Sequence, residues 1–576
     1  MSVFDSIRKK KKIPAPWSKF YSKEEQNIQI PNISMYEEIR RNALKYPNDV
    51  AIVYLNRKIT FYDLLKKIDI VANGFYDLGI RRGDVVTIVL PNVPESLISL
   101  YALNKIGAIA NMTHPLSAEE EIKEAITTTK SRYLIIYNAR YSKIENYIDN
   151  INVEKVIFVS PADSLDTIRR VGYKVMELRK FKHRPLLNKK YINFRTFFLL
   201  SRFKDDFPQK RFGKNTPAVI LHSGGTSGKS KNVVIQNRAF TFAAKSENII
   251  LTFEKGDSAL AIMPNFHGFG LSTVMHTPLS LGLTTILVPQ FNAKKFGAIL
   301  KKNKPTCILG VPTLYEAFIN ANNEKNLDLS FIKYIICGGD ALPSALEDKV
   351  NDFLEMHNSS AKIIQGYGLT EALACVTLTP DEVQKKGSAG IPLPGNYIKI
   401  IDPTNRKTKK PGEKGEIVIN SKAFMMGYLN DEKETNEALQ VHPDGHVWLH
   451  TGDLGHMDED GFLFYSGRSK RMIISSGYNV YPSHIEEILE SHPAVLQCTV
   501  VGVPHPYKQE VPKAFVVLND NSHGLFIKAE LKKYCAKHLA KYMMPSDIVI
   551  RKKLPKTKLG KVDFNKLKED NNGDEI

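Results

Sequence analysis

Residues 221–236 read LHSGGTSGKSKNVVIQ, a run of glycines and hydroxyl side chains followed by two lysines. The tail Gly228-Lys229-Ser230 matches the end of the phosphate-loop signature G-x-x-x-x-G-K-[ST], but the first glycine of that signature falls on Ser223. A phosphate loop of that kind also needs a helix directly behind it, because the helix N-terminal amides complete the cradle. Here the β-branched run KNVVIQN follows, with a helix cap expected only at Asn237. The pattern therefore predicts a hairpin between two strands. Its glycines can still turn backbone N–H groups inward as an anion nest, and Ser223, Thr226 and Ser227 add hydroxyl donors. Alone, such a loop is more often a flexible turn than a site.

Other stretches carry compatible chemistry. QGYGLTEA (365–372) sets an aromatic, a hydroxyl and a carboxylate within five residues. Tyr367 can stack on a base, Thr370 can hold a phosphate, and Glu371 can ligate the Mg²⁺ that accompanies ATP. HTGDLG places Asp453 on an expected tight turn, where a carboxylate can accept both hydroxyls of a ribose. Arg468 stands at an apparent domain boundary, and LPKTKLGKVDF puts Lys561 on a turn near the C-terminus. Singly, each suits a capped turn, a surface ion pair or a solvated lysine equally well.

Strand-length apolar runs such as DVVTIVL (84–90), YLIIYN (133–138), TCILGVP (306–312) and YIICGGD (334–340) alternate with amphipathic stretches such as PESLISLYALNKIGA (94–108). That alternation is the mark of an α/β protein with layered, mostly parallel sheets and helices. Between about 412 and 468 short strands joined by Gly/Asp turns suggest a β-rich subdomain. After Arg468 a helix–strand–strand–helix order reads as a small α+β unit. The expected division is 1–469, a large N-terminal domain, and 470–576, a small C-terminal domain. A chain of 576 residues agrees with more than one core.

No run approaches 18 apolar residues, and the basic N-terminus lacks the apolar stretch of a secretory signal. Five scattered cysteines speak against a disulfide framework or a zinc site and for a reducing cytoplasm. The net charge of +19 is concentrated: residues 169–214 hold 15 Lys/Arg against Glu177, Asp205 and Asp206. A solvated basic insertion accounts for this. The interleaved YINFRTFFLLSRF also fits peripheral contact with an anionic membrane, at the inner face for a cytoplasmic protein. No nucleic-acid-binding module accompanies the charge.

In this order and spacing the motifs, with PGNYIKIID, GEKGEIVI, MGYLN and VVGVPHP between them, closely resemble the AMP-forming adenylating superfamily of acyl-CoA synthetases, carrier-protein adenylation domains and luciferases. The resemblance spans about residues 35–567. It implies ATP, Mg²⁺ and coenzyme A as cofactors or co-substrates. It also implies that Ser223, Gly224, Gly225, Thr226, Ser227, Gly228 and Lys231 embrace the β- and γ-phosphates, with Lys231 rather than Lys229 as the phosphate lysine. Gly338, Gly339 and Asp340 with Gly366 and Tyr367 then form the adenine pocket, and Asp453 holds the ribose. Thr226 and Glu371 sit at the metal, with Thr370 and Arg468 in the catalytic set. Lys561 bridges the substrate carboxylate and the α-phosphate. Lys470 is the implied hinge, and Gly477 the implied opening for a pantetheine thiol. Two departures stand out: Ser230 where proline is usual, expected to loosen the turn slightly, and Phe564 where arginine is common, expected on the surface of the tail without consequence.

Amino-acid-activating relatives carry an aspartate where PNFHGFG has His267, so an α-amino acid would leave an unpaired ammonium. His267 is implied to lie beside the acyl carboxylate and the thiol channel. HGFGLSTVM, GVPTLYEAF and TEALACV, the expected acid-pocket walls, bear no fixed charge that would face an acid, which suits an aliphatic or aryl carboxylate. The expectation is an acyl-CoA ligase for medium- or long-chain fatty acids. The alternatives are an adenylating enzyme loading an acyl carrier protein, and a membrane-associated binding protein on a retired enzyme scaffold.

Overall fold

The computed structural model describes residues 10–180, 187–201, 215–223, 231–321, 327–380, 383–468, 471, 473–475, 478–505, 508–519, 526–539, 543–557 and 561–570. Two large sheets dominate. One has nine strands and places the strands beginning at Ile363, Tyr334, Cys307, Ser258, Thr284 and Val50 side by side in parallel, with antiparallel strands at both edges. The other has eight, with Pro217–Ser223, Ile109–Met112, Val85–Val89, Tyr133–Tyr137, Lys155–Val159 and Tyr191–Asn193 in a parallel row. The expected α/β layering is therefore present.

Parallel strands need helical crossovers, and both faces of such sheets are buried. The helix Pro94–Ile106 illustrates how the sequence meets that demand. Pro94 occupies its first turn, where a missing N–H costs nothing, and Gly107 ends it at φ +78°. Leu97, Ile98, Leu100, Tyr101, Leu103 and Ile106 are all buried, around the whole circumference. A helix apolar on every side belongs inside a core.

The β-rich part is a five-stranded sheet containing Tyr397–Ile401, Gly415–Asn420, Leu439–Val441, Val447–Met457 and Leu463–Arg468. Residues 473–550 form a further five-stranded sheet with the helices Pro482–Glu490 and Ile527–His538. They bury a core of their own around Ile473, Ile485, Val500, Val516, Leu531 and Ile548. No described helix is long and apolar enough to cross a membrane.

Three expectations need correction. Asn237 is the first residue of the helix Asn237–Leu251 rather than its cap, because its side chain is drawn inward to accept from Met35 N (3.1 Å) and Asn104 Nδ2 (2.8 Å). Asp453 lies within the long strand Val447–Met457, just past a kink at Gly452 (φ +67°), rather than on a turn between strands. Among the described aromatics of YINFRTFFLLSRF, Phe194 and Phe197 are withdrawn from the surface: both are buried, and Phe197 stacks on Phe75 at 5.2 Å.

Candidate active site

The Gly/Ser/Thr loop does join two strands. Pro217–Ser223 and Lys231–Gln236 pair antiparallel with Ser223 opposite Lys231. Gly224, Gly225, Thr226, Ser227, Gly228 and Ser230 lie outside the described residues. At the base of the hairpin, Ser223 Oγ donates to Glu371 Oε1 at 3.2 Å, and Tyr428 OH donates to the same oxygen at 3.0 Å. Lys231 pairs with Glu434 and stands 4.7 Å from the centre of the Tyr428 ring. Gly427–Tyr428 pairs with Val233 and Val234 and so ties this arm to the hairpin, while Met425 N donates to Glu371 O at 2.8 Å. Glu371 itself lies on the short turn Thr370–Ala372, whose Thr370 carbonyl accepts from Leu373 N.

Groups of three or more ligating side chains are absent among the described residues. A single carboxylate such as Glu371 still fits Mg²⁺. That ion keeps most of its waters and is held by one or two carboxylates plus substrate phosphates.

A second cluster lies where Gly338–Asp340 meets Gly366-Tyr367. A Cβ on Gly366 would come within 2.9 Å of Thr377 O, and one on Gly338 would touch Gly366 O at 3.4 Å and the Phe269 ring at 3.5 Å. Two backbones and an aromatic ring thus approach as closely as glycine permits. Tyr367 OH donates to Asp453 Oδ2 at 2.7 Å, and Tyr465 lies alongside with ring centres 5.9 Å apart. Arg468 Nε stands 3.2 Å from Asp453 Oδ1, which has no aligned hydrogen-bond donor. Asp453 and Arg468 face each other across adjacent strands, so sheet register fixes the pair. Burial raises the Asp453 carboxyl above its ordinary range, opposed chiefly by the Arg468 charge.

Lys561 enters from the C-terminal unit. Its Nζ donates to Gly339 O at 2.7 Å, and Gly339 at φ +80° holds a backbone turn that other residues adopt only with strain. Thr557 N to Lys561 O (2.6 Å) and a bridge between Lys556 and Val562 close the turn carrying the lysine. Burial lowers the imidazolium of His267 to about 4, with the Lys561 and His114 charges adding to the effect. The Lys561 charge also acts on Asp453. Lys561, His267, Gly339 and Asp453 therefore share one electrostatic neighbourhood, with His267 neutral near pH 7.

Lys470 and Gly477 fall outside the described residues. The expectation for Phe564 needs correction: its ring is half-buried, and the Arg471 guanidinium stacks over it at 3.8 Å. Arg471 also pairs with Glu486 and donates to Val500 O at 3.3 Å. Sequence reasoning missed Tyr428, Tyr465 and Glu434 as members of the constellation. MGYLN was visible as a motif, but only strand pairing shows that its tyrosine reaches Glu371.

A family model described as "AMP-binding enzyme" matches residues 39–429, and one for the AMP-binding enzyme C-terminal domain matches 484–561. A long-chain-fatty-acid–CoA ligase of Bacillus subtilis (strain 168) is 31% identical over 570 residues, covering 96% of this chain and 98% of that protein. A probable 4-coumarate–CoA ligase 3 of Dictyostelium discoideum is 31% identical over 562 residues, with the same coverage. Among solved structures, the anthranilate CoA ligase AuaEII in complex with anthranoyl-AMP superposes with a TM-score of 0.82 at 24% identity, over 94% of this chain and 98% of that one.

Proposed function

The chain belongs to the AMP-binding enzyme family, and we propose that it activates a medium- or long-chain fatty acid. The protein is an AMP-forming acid–CoA ligase that uses ATP, Mg²⁺ and CoA. The observation that carries the site reading is the contact of Lys561 Nζ with Gly339 O. It brings a cation from the far end of the chain within electrostatic reach of His267 and Asp453, which supports reading Lys561 as the adenylation lysine.

In the first half-reaction a carboxylate oxygen of the acid attacks the α-phosphorus of ATP, the bond to the bridging oxygen breaks, and pyrophosphate leaves. No protein nucleophile is required. In this reading Lys561 offsets the charge that builds up at the α-phosphate, and Asp453, oriented by Tyr367 and Arg468, accepts the ribose hydroxyls. Ser223, Lys231 and the loop between them hold the β- and γ-phosphates. Gly338, Gly339, Asp340 and Gly366 flank the adenine, and Thr370 stands near the phosphates. Glu371, with Thr226, is the expected protein ligand of Mg²⁺, which when bound neutralises phosphate charge.

In the second half-reaction the CoA thiol attacks the acyl carbonyl, and AMP leaves while the thiol gives up its proton. We read residues 1–469 and 470–576 as two bodies that rotate about Lys470 between these steps, withdrawing Lys561 and bringing Gly477 to the thiol path. His267, neutral near pH 7, lies by the acyl group without opposing Lys561.

The fatty-acid reading draws support from the long-chain ligase relative. Pyrophosphate release with a panel of acids tests it. Fatty acids of eight or more carbons should be preferred, and preference for 4-coumarate or benzoate would overturn it. A carrier protein as acceptor draws only on the basic net charge of this chain; adding CoA or a phosphopantetheinylated carrier to preformed acyl-AMP separates the two. Peripheral contact of the 169–214 segment with the cytoplasmic membrane face completes the reading.

A further inference from the structure

The helix Thr167–Lys180 is turned the wrong way for an ordinary surface helix. Arg169, Tyr173 and Glu177, spaced four apart, face the body of the protein. Arg169 Nη1 donates to Leu55 O at 3.0 Å, and the Tyr173 and Tyr137 hydroxyls lie 3.4 Å apart. Glu177 Oε1 accepts from Asn138 Nδ2 at 2.9 Å and from Ser160 Oγ at 2.8 Å. The opposite side is aliphatic and open to solvent: Ile168, Val171 and Val175, at i, i+3 and i+7, are 86%, 57% and 44% exposed, and Met176 is 46% exposed. An amphipathic helix normally buries such a stripe.

The outward stripe is not isolated. Seven of the sixteen exposed large apolar side chains among the described residues fall between 168 and 200, with Leu187, Leu199 and Leu200 completing the set. The same stretch opens the segment that holds 15 Lys/Arg against three acids. Aliphatic side chains facing outward on a segment whose sequence is this rich in Lys/Arg match the chemistry of an anionic lipid surface: headgroups neutralise cations while the acyl boundary takes up the aliphatic side chains. A second copy of the same strongly basic segment would face like-charge repulsion.

We infer that Ile168, Val171 and Val175 form the insertion face by which this protein docks on an anionic membrane. This deepens the membrane-contact reading above and rests on it, replacing the aromatic run 191–203 by the helix Thr167–Lys180 as the element that enters the lipid. Charge draws the segment to the surface, and the stripe converts that attraction into insertion.

Sedimentation of the full chain with vesicles of phosphatidylcholine alone, or with about a third phosphatidylglycerol, tests it. The wild type should pellet with the anionic vesicles only. Replacing all three residues (Ile168→Ser, Val171→Ser, Val175→Ser) should weaken that binding at least tenfold while leaving ligase activity on a short, soluble acid unchanged. A single Val171→Trp probe should shift its emission to the blue on adding the same vesicles. Failure of the wild type to pellet would remove the membrane-contact reading itself. Equal pelleting of wild type and triple variant, or no emission shift in a probe that binds, would leave that reading and overturn the insertion face. A triple variant that pellets normally but loses a wild-type oligomer would identify a second copy as the occupant and likewise overturn it.

Discussion

At the scale of single residues, the proposed reading divides the reaction between groups that charge the site and groups that shape it. Lys561 belongs to the first kind: its ammonium is placed by one hydrogen bond to Gly339 O and lies close enough to His267 and Asp453 to shift both. Lys561→Ala should cut acyl-AMP formation by about a hundredfold or more, the scale seen when one electrostatic stabiliser of a transition state is removed. Thiol transfer from supplied acyl-AMP should stay within a few-fold of wild type, and pre-steady-state assays of the two half-reactions check this. Equal loss of both steps would contradict a lysine that serves adenylation alone. Ser223, Glu371, Asp453, Arg468 and Lys561 were legible in the sequence as candidates, because their motifs in this order resemble those of a known family; singly each suited a bland turn or ion pair. Tyr428 and Glu434 were not legible, since a tyrosine and a glutamate acquire meaning only when the pairing of Gly427–Tyr428 with the hairpin brings the first to Glu371 and the helix Glu432–Ala438 brings the second to Lys231.

At the scale of elements, the same spacing that names a helix leaves its orientation open. Ile168, Val171 and Val175 share one face by periodicity, but whether that face looks in or out depends on what Tyr173 and Glu177 find on the body. Phe194 and Phe197 show the converse, as aromatics in a basic run that turn inward onto Phe75. The hairpin was legible because β-branched residues after a glycine loop exclude the helix that a phosphate loop requires. At the C-terminal end, Arg471 links the residue after the expected hinge to Phe564, which opens the short helix three residues beyond Lys561. A guanidinium stacked on an exposed or half-buried ring contributes about 1 kcal/mol, so Phe564→Ala should slow adenylation about fivefold by loosening the lysine turn. Thiol transfer should be unaffected, and an equal fall in both rates would point to general destabilisation. Lys470→Pro should produce the opposite split: proline fixes φ at the hinge, so adenylation continues while transfer to CoA fails. Normal CoA transfer in that variant would remove the hinge assignment.

At the scale of the whole molecule, buried titratable groups of two kinds set the dependence of stability on pH. Burial raises Glu95 and Glu247 to about 7 and Glu490 to about 8. Burial also lowers His222, His267 and His442 to about 4. The buried histidines are neutral in the folded chain while the unfolded chain still binds their protons, so they add stability as pH rises from about 4 to 6.5. The carboxyls keep protons that the unfolded chain has released, so they remove stability as pH rises from about 4.5 to between 7 and 8. The two sets oppose each other up to about pH 6.5, and beyond it only the carboxyls still titrate. Thermal stability should therefore be nearly level between about pH 5 and 6.5 and decline towards pH 8. Glu247 offers the cleanest test, being fully buried with its oxygens held by the Thr273 and Thr277 hydroxyls at 2.9 and 2.8 Å. Glu247→Gln keeps the shape and removes the ionisation, so its stability relative to wild type should grow between pH 5 and 8 by up to about 3 kcal/mol. Denaturant titrations of both proteins across that range measure the difference. A constant offset would mean that Glu247 ionises as readily in the folded chain as in the unfolded one, and the alkaline decline would then fall to Glu95 and Glu490.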